Sequence, residues 1–361
     1  MIYFDHAATS LPDDSVLQHY FGLVKEFCGN SESSHLAGYR IRKALTGCGE
    51  RMVELAGLPP DFGVLWFPGT TDVFNFIAST NLVRGRAVYT STLEHPALTA
   101  ALRRNARQYH ILSADNCGQI VLPENVRENC FAAFFQMQSE LGSVTDFRRV
   151  EVAFPRAVIM SDSVQAAGKM QLPHEARLIV VSGAKIGAPA GGALLFFDRS
   201  CLPLRELPEI FRKYRSTDYF MDRLYAPQLL AMEAAYALKL KQQRQEIQKV
   251  AQINSFIRKE AAALGAVETL PPEKASPFIC HLNFPGKQGA VIARMFSEAG
   301  IMVSSGSACA AEAGGPSPAL LAIGFDRDGA YSGLRLSFSN SNTMGEAARF
   351  LQILSEILQK Y

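Results

Sequence analysis

Short apolar, β-rich runs alternate with helix-patterned segments through the first half of this chain, and that rhythm constrains the fold more than any other feature. Residues 87–89, 109–112, 130–137, 157–161 and 178–181 read as strands, with a helix over 96–105. Strands joined by helices return in parallel, so the pattern predicts an α/β protein with a mainly parallel sheet covered on both faces. Ligands of such sheets gather at the carboxyl ends of the strands. Glu94-His95, Gln138-Ser139-Glu140, Asp162, Gln165 and Lys185 all follow predicted strands directly, which places the first candidates for a site.

The remaining segments complete the frame. The opening IYFDHAATS reads as a short strand and a polar turn, and 13–28 has helical spacing with Val16, Tyr20, Leu23, Val24 and Phe27 on one face. A polar loop, 29–38, precedes a second helix running to about 54, and 64–67 is a buried strand. Residues 227–264 form one or two long helices. Strands at 278–284, 302–303 and 334–338, with helices over 289–299 and 343–359, suggest a smaller α+β unit. The expected division is a large domain over 15–235 and a small one combining 1–14 with 236–361, in keeping with a length of 361 residues.

Composition narrows the function. A formal net charge of +2 offers no electrostatic case for nucleic acid or an anionic membrane. No apolar stretch is long enough to span a membrane, and the N-terminus lacks the pattern of a signal peptide. The seven cysteines are odd in number and have no CxxC spacing, which argues against a disulfide scaffold or a metal site and fits a reducing cytoplasm.

Six stretches carry chemistry. In LIVVSGAKIGAPAGGALLF, two apolar runs flank a turn of small residues whose one ionisable side chain is Lys185. Most lysines are solvated surface residues. One pinned between buried strands has its pKa lowered by desolvation and can form a Schiff base with an aldehyde cofactor. Pro68-Gly69-Thr70-Thr71-Asp72 follows a strand and leads into an apolar helix, an arrangement that serves either as a phosphate cradle or as an ordinary N-cap. His95 ends a strand, where it can stack on a planar ring or play a structural part. Asp162 can pair with a protonated pyridine nitrogen or cap a helix. In MVSSGSAC, Cys309 lies in a small-residue loop that no core would choose, so its thiol is exposed and a candidate nucleophile. Arg335, inside the apolar strand LRLSF, needs an anionic partner, and a substrate carboxylate would serve.

Together these motifs resemble the cysteine desulfurases, sulfur-mobilising members of the class V aminotransferase family with the type I pyridoxal phosphate fold. YFDHAATS resembles the N-terminal signature and GNSESSH the substrate-side loop; PGTTD resembles the phosphate turn and EHPAL the ring-stacking histidine. SDSVQ resembles the cofactor Asp and Gln, SGAK the Schiff-base lysine, SSGSAC the catalytic cysteine loop and LRLSF the carboxylate-binding arginine. The resemblance implies a homodimer with a seven-stranded-type sheet, binding pyridoxal 5'-phosphate through Gly69, Thr70, Thr71, His95, Ser139, Asp162, Gln165, Ser182, Lys185 and, across the dimer, Thr217. It implies catalysis by Lys185, Cys309 and His95, with Asn30 and Arg335 on the substrate. L-cysteine would become L-alanine, and Cys309 would pass its persulfide sulfur to an acceptor protein, as in iron–sulfur cluster assembly. Three positions depart from the family pattern: Ala184 replaces a histidine, Ser139 replaces an asparagine, and an RRSGT-like segment is shortened to Tyr214-Arg215-Ser216-Thr217. Two alternatives therefore stand beside this reading, another class V enzyme (a transaminase or selenocysteine lyase) and a non-enzymatic paralogue.

Overall fold

The computed structural model describes residues 1–126, 128–189, 191–202, 225–306 and 315–361. Strand β1 (Ile2–Tyr3) leads to helices α1 (Asp14–Glu26) and α2 (Leu36–Leu55). Asp13 and His35 cap these helices by accepting the Ser15 and Gly38 N–H groups, so each starts where a polar side chain takes up an orphan donor. Seven strands then build the main sheet: β2 (Phe62–Phe67), β3 (Ala87–Ser91), β4 (Gln108–Leu112), β5 (Cys130–Phe135), β6 (Val158–Asp162), β7 (Leu178–Ser182) and β8 (Ala193–Asp198). Helices α3 (Thr70–Ser79), α4 (Asn81–Arg84), α5 (Pro96–Asn105) and α6 (Phe147–Ala153) lie in the connections.

The strand order is β2-β8-β7-β6-β5-β3-β4. The ladders from β7 through to β4 are parallel, as the alternating pattern requires, whereas β8 runs antiparallel to both its neighbours. The exception has a local cause. Residues 183–192 are too few for the helical crossover that a parallel return needs. Strands β2, β5, β7 and β8 are buried at every position, the consequence of cover on both faces.

A single 38-residue helix, α7 (Ala226–Ala263), leads out of this body, where the sequence left one or two helices open. Beyond it come β9 (Val267–Glu268), β10 (Ile279–Asn283), α8 (Gly289–Glu298), β11 (Ile301–Met302), α9 (Pro318–Ala322), β12 (Gly333–Ser337) and α10 (Met344–Lys360). Strands β12, β10 and β9 form an antiparallel sheet, and β1 pairs with β11 in parallel, tying the N-terminus to the last third of the chain. Leu229, Met232 and Tyr236 of α7 pack into the core of the main sheet. Val250, Ile253 and Ile257 of the same helix pack with Phe278, Leu334 and Phe350 in a second core.

Among the described residues, no helix is long and apolar enough to cross a membrane, and no group of three His, Cys, Asp or Glu side chains could hold a metal ion.

Candidate active site

The carboxyl ends of β2, β3, β5, β6 and β7 open on one cavity of about 500 Å3, which Ala7–Thr9 and Arg335 close from the other side. Gly69, Thr70, His95, Ser139, Asp162, Gln165, Ser182 and Lys185 all line it, so most of the sequence candidates meet in one place. Lys185 ends a 3-10 turn, Gly183–Lys185, that begins directly after β7. Only glycine fits at the start of that turn, because a Cβ on Gly183 would lie 2.3 Å from the Gly191 carbonyl oxygen. The half-buried Lys185 side chain crosses the cavity and donates from Nζ to the Ala8 carbonyl.

Asp162, the last residue of β6, is buried and accepts the Val164 N–H at 3.1 Å. Burial pushes its carboxyl up to about 6, against the opposing pull of that N–H and of the Lys185 cation. Gln165 donates from Nε2 to the Ala7 carbonyl at 2.8 Å. His95 caps α5, its Nδ1 accepting the Ala97 N–H at 3.2 Å, which leaves Nε2 to carry the proton of the neutral ring. Desolvation first, and then the Lys185 charge, lower the His95 pKa, so that neutral ring is favoured. Gly69 caps α3 with no side-chain hydrogen bond, which leaves N–H groups of the first turn for an anion.

Arg335 sits within β12, buried, with Nη2 on Asp5 Oδ1 (2.8 Å) and Nη1 on the Ser139 carbonyl (3.0 Å). The anionic partner that its burial demands is therefore Asp5, which sequence reasoning passed over; Nε alone has no hydrogen-bond partner. Ser304, which opens the SSGSAC stretch, is tied to the same residue: Arg335 N–H donates to the Ser304 carbonyl (2.7 Å), and Ser304 N–H donates back (3.1 Å). Ser304 Oγ also donates to Asp5 Oδ1 at 2.9 Å.

Other candidates lie elsewhere. Thr71 is exposed and does not line the cavity, since the first turn of α3 carries it outward. Asn30 is exposed too, its Oδ1 taken up by the Glu32 N–H at 2.8 Å, and it is likewise absent from the cavity wall. Gln138 cannot easily replace the asparagine that Ser139 lacks, because its Oε1 already accepts the Glu140 and Leu141 N–H groups at 2.6 Å each. Thr217 and Cys309 lie outside the described residues.

Comparison with known proteins accords with this arrangement. The family profile described as aminotransferase class-V matches residues 2–350. A protein of Halalkalibacterium halodurans named putative cysteine desulfurase NifS is 23% identical over 375 residues, covering 100% of this chain and 99% of its own length. The cysteine desulfurase IscS of Pseudomonas putida is 26% identical, covering 99% of this chain and 93% of its own. Among solved structures, a NifS-like protein superposes with a TM-score of 0.86 at 22% identity, over 100% of both chains. The cysteine desulfurase of Thermococcus onnurineus superposes at 0.79 with 17% identity, over 100% of this chain and 95% of that one. These structural likenesses establish the fold, type I of the pyridoxal phosphate enzymes. With the family profile running from the first strand into the last helix, this chain belongs to the class-V aminotransferases.

Proposed function

We propose that the chain is a pyridoxal-phosphate-dependent cysteine desulfurase, converting L-cysteine to L-alanine while Cys309 takes the sulfur as a persulfide. One observation carries the reading: Lys185, Asp162, Gln165, His95, the α3 N-terminus and Arg335 share a cavity, and the stretch leading to Cys309 starts at a backbone bond to Arg335. The names of the full-length relatives point the same way.

The residues present fit the cofactor. A phosphate suits the uncapped turn at Gly69-Thr70, an aldehyde suits Lys185, a pyridine nitrogen suits the buried Asp162, and the ring suits His95. Ser182 and the partner subunit's Thr217 would complete the phosphate contacts, and Ser139 and Gln165 the ring contacts, whereas Thr71 faces away from the cavity. When bound, the group supplies an aldehyde that condenses with amines and a ring that takes up the electron pair released at Cα.

The chain's own residues do the rest. Lys185 Nζ takes the proton from Cα and later returns one. Asp162 holds a proton at the ring nitrogen, whose positive charge brings its carboxyl down from about 6 toward full ionisation. Arg335 orients the substrate carboxylate, without Asn30, which stands outside the cavity. The Cys309 thiolate gives an electron pair to the substrate sulfur. The Cβ–S pair stays on Cβ, which takes a proton and becomes the methyl of alanine. Cysteine and a thiol thus become alanine and a persulfide.

The same reading assigns 15–235 to a large cofactor-binding domain and 1–14 with 236–361 to a small one, in a cytoplasmic homodimer. The persulfide sulfur goes to an acceptor protein, in a route such as iron–sulfur cluster assembly. A second reading, another class V enzyme, draws support from Ala184 and from Ser139, which gives only its backbone carbonyl to Arg335 while Gln138 is held in its own turn. Borohydride reduction of the loaded protein, followed by peptide mapping, tests the assignment of the lysine. The label is expected on Lys185 and lost in Lys185→Ala; a label on another lysine contradicts it.

A further inference from the structure

Glu140 follows directly on the cavity-lining Ser139, yet its side chain turns away into a buried site between the two bodies of the molecule. Its Oε1 accepts the Ser317 hydroxyl at 2.5 Å. The same oxygen faces His281 Nε2 at 3.7 Å. It also lies against Gly306, where an added Cβ would sit 3.3 Å away. Gly306 and Ser317 come from the two sides of the stretch that contains Cys309. One carboxylate oxygen therefore binds a residue after Cys309 and lies near a residue before it.

The surroundings are built to keep that carboxylate charged. Thr269 Oγ1 accepts the Asn283 amide N–H at 2.5 Å, so its own hydrogen is free for His281 Nδ1 at 2.6 Å. That leaves the His281 proton on Nε2, facing Glu140. Burial would raise the Glu140 pKa, but His281, the Ser317 hydroxyl and the charge of Arg335 bring it below the ordinary value. Ser317 is fixed in turn, its Oγ accepting the Leu320 N–H at 3.1 Å and its N–H donating to Ala330. Gly306 has φ +82°, so a side chain there would be strained as well as pressed against the acid. A buried carboxylate without such partners would be costly, and this one has the Ser317 hydroxyl at 2.5 Å and the His281 ring at 3.7 Å, from separate parts of the chain.

We propose that Glu140 is a positioning residue for the sulfur-accepting step, fastening the Ser317 side of the Cys309 stretch to the loop that lines the cavity. The inference rests on Cys309 being the acceptor, and its test separates the two ideas. Full-length protein loaded with pyridoxal phosphate is compared as wild type, Glu140→Gln and Ser317→Ala. Three quantities are measured: the rate of iodoacetamide labelling at the Cys309 peptide, the single-turnover rate of persulfide formation there, and the absorbance change on adding cysteine in a Cys309→Ser background. Both variants are expected to shift the labelling rate at least threefold and to slow persulfide formation at least tenfold. The absorbance response, which needs no thiol at position 309, should stay within twofold. Wild-type labelling and persulfide rates in both variants would overturn the proposal. So would an equal loss of the absorbance response, which would mark Glu140 as merely structural. Should Glu140→Gln fail to fold, Ser317→Ala decides. Should Cys309→Ser still release sulfide, the desulfurase reading falls, and the labelling rates alone decide this inference.

Discussion

At the scale of single residues, the site holds its groups in costly states. Asp162 has a folded pKa near 6 against an ordinary value of 3.8, so the folded chain binds the proton more tightly than the unfolded chain does. Stability contributed by this residue therefore falls as pH rises from about 4 to about 6, and the penalty is complete at neutral pH. Asp162→Asn should raise the stability of the cofactor-free protein at pH 7 by roughly 2–3 kcal/mol while abolishing turnover. Thermal melts at pH 4 and pH 7 check this: the gain should shrink at the lower pH. Lys185, Asp162 and His95 were legible because each follows a strand that the sequence marks clearly. Asp5 was not, since its partner Arg335 is 330 residues away and nothing local to IYFDHAATS demands an arginine. A buried arginine in an apolar strand signals that an acid exists, without saying which.

At the scale of elements, regular periodicity was readable and short pieces were not. The helix Pro96–Asn105 has the limits its pattern predicts, with proline in the first turn and arginines in the last. Strands β6 and β7 run one residue further than expected, so Asp162 and Ser182 end strands instead of following them. Helix α6 and strand β9, at 7 and 2 residues, are too short for a hydrophobic period to repeat. Thr343, placed inside the last helix by its pattern, is instead the N-cap of α10, paired with Glu346 in a capping box. Close packing of elements was equally hidden. Gly289 opens α8 against β12, where a Cβ would lie 1.9 Å from the Gly333 carbonyl oxygen. Gly289→Ala should cost about 3 kcal/mol in urea unfolding and raise the KM for cysteine, because the displaced backbone leads directly to Arg335. Unchanged stability would show that the helix start can shift freely.

At the scale of the whole molecule, α7 belongs to two cores, and the polar groups between them feel both. Lys169 is buried there, its Nζ 5.5 Å from the centre of the Phe278 ring and 3.5 Å from Gln165 Oε1. Burial, then Lys239, Lys185 and Arg335, lower its pKa to about 7, against the opposing charge of Glu246. Here the unfolded chain binds the proton more tightly, so the contribution to stability rises between about pH 7 and pH 10, by about 1.4 kcal/mol per unit at most. Lys169→Met should flatten the pH dependence of the melting temperature across that window; an unchanged slope would show that Lys169 titrates normally. The proposed reaction also draws on the whole molecule, since Lys185 stands on the main sheet while Cys309 follows Ser304 and its bonds to β12. Cys309→Ser tests that claim most directly, with alanine, sulfide and protein-bound sulfur measured after addition of L-cysteine. The variant should still bind the cofactor and still respond to cysteine by absorbance, yet form neither alanine nor sulfide, while the wild type gains one sulfur on the Cys309 peptide. Normal turnover by the serine variant, with no sulfur ever found on that peptide, would contradict the account.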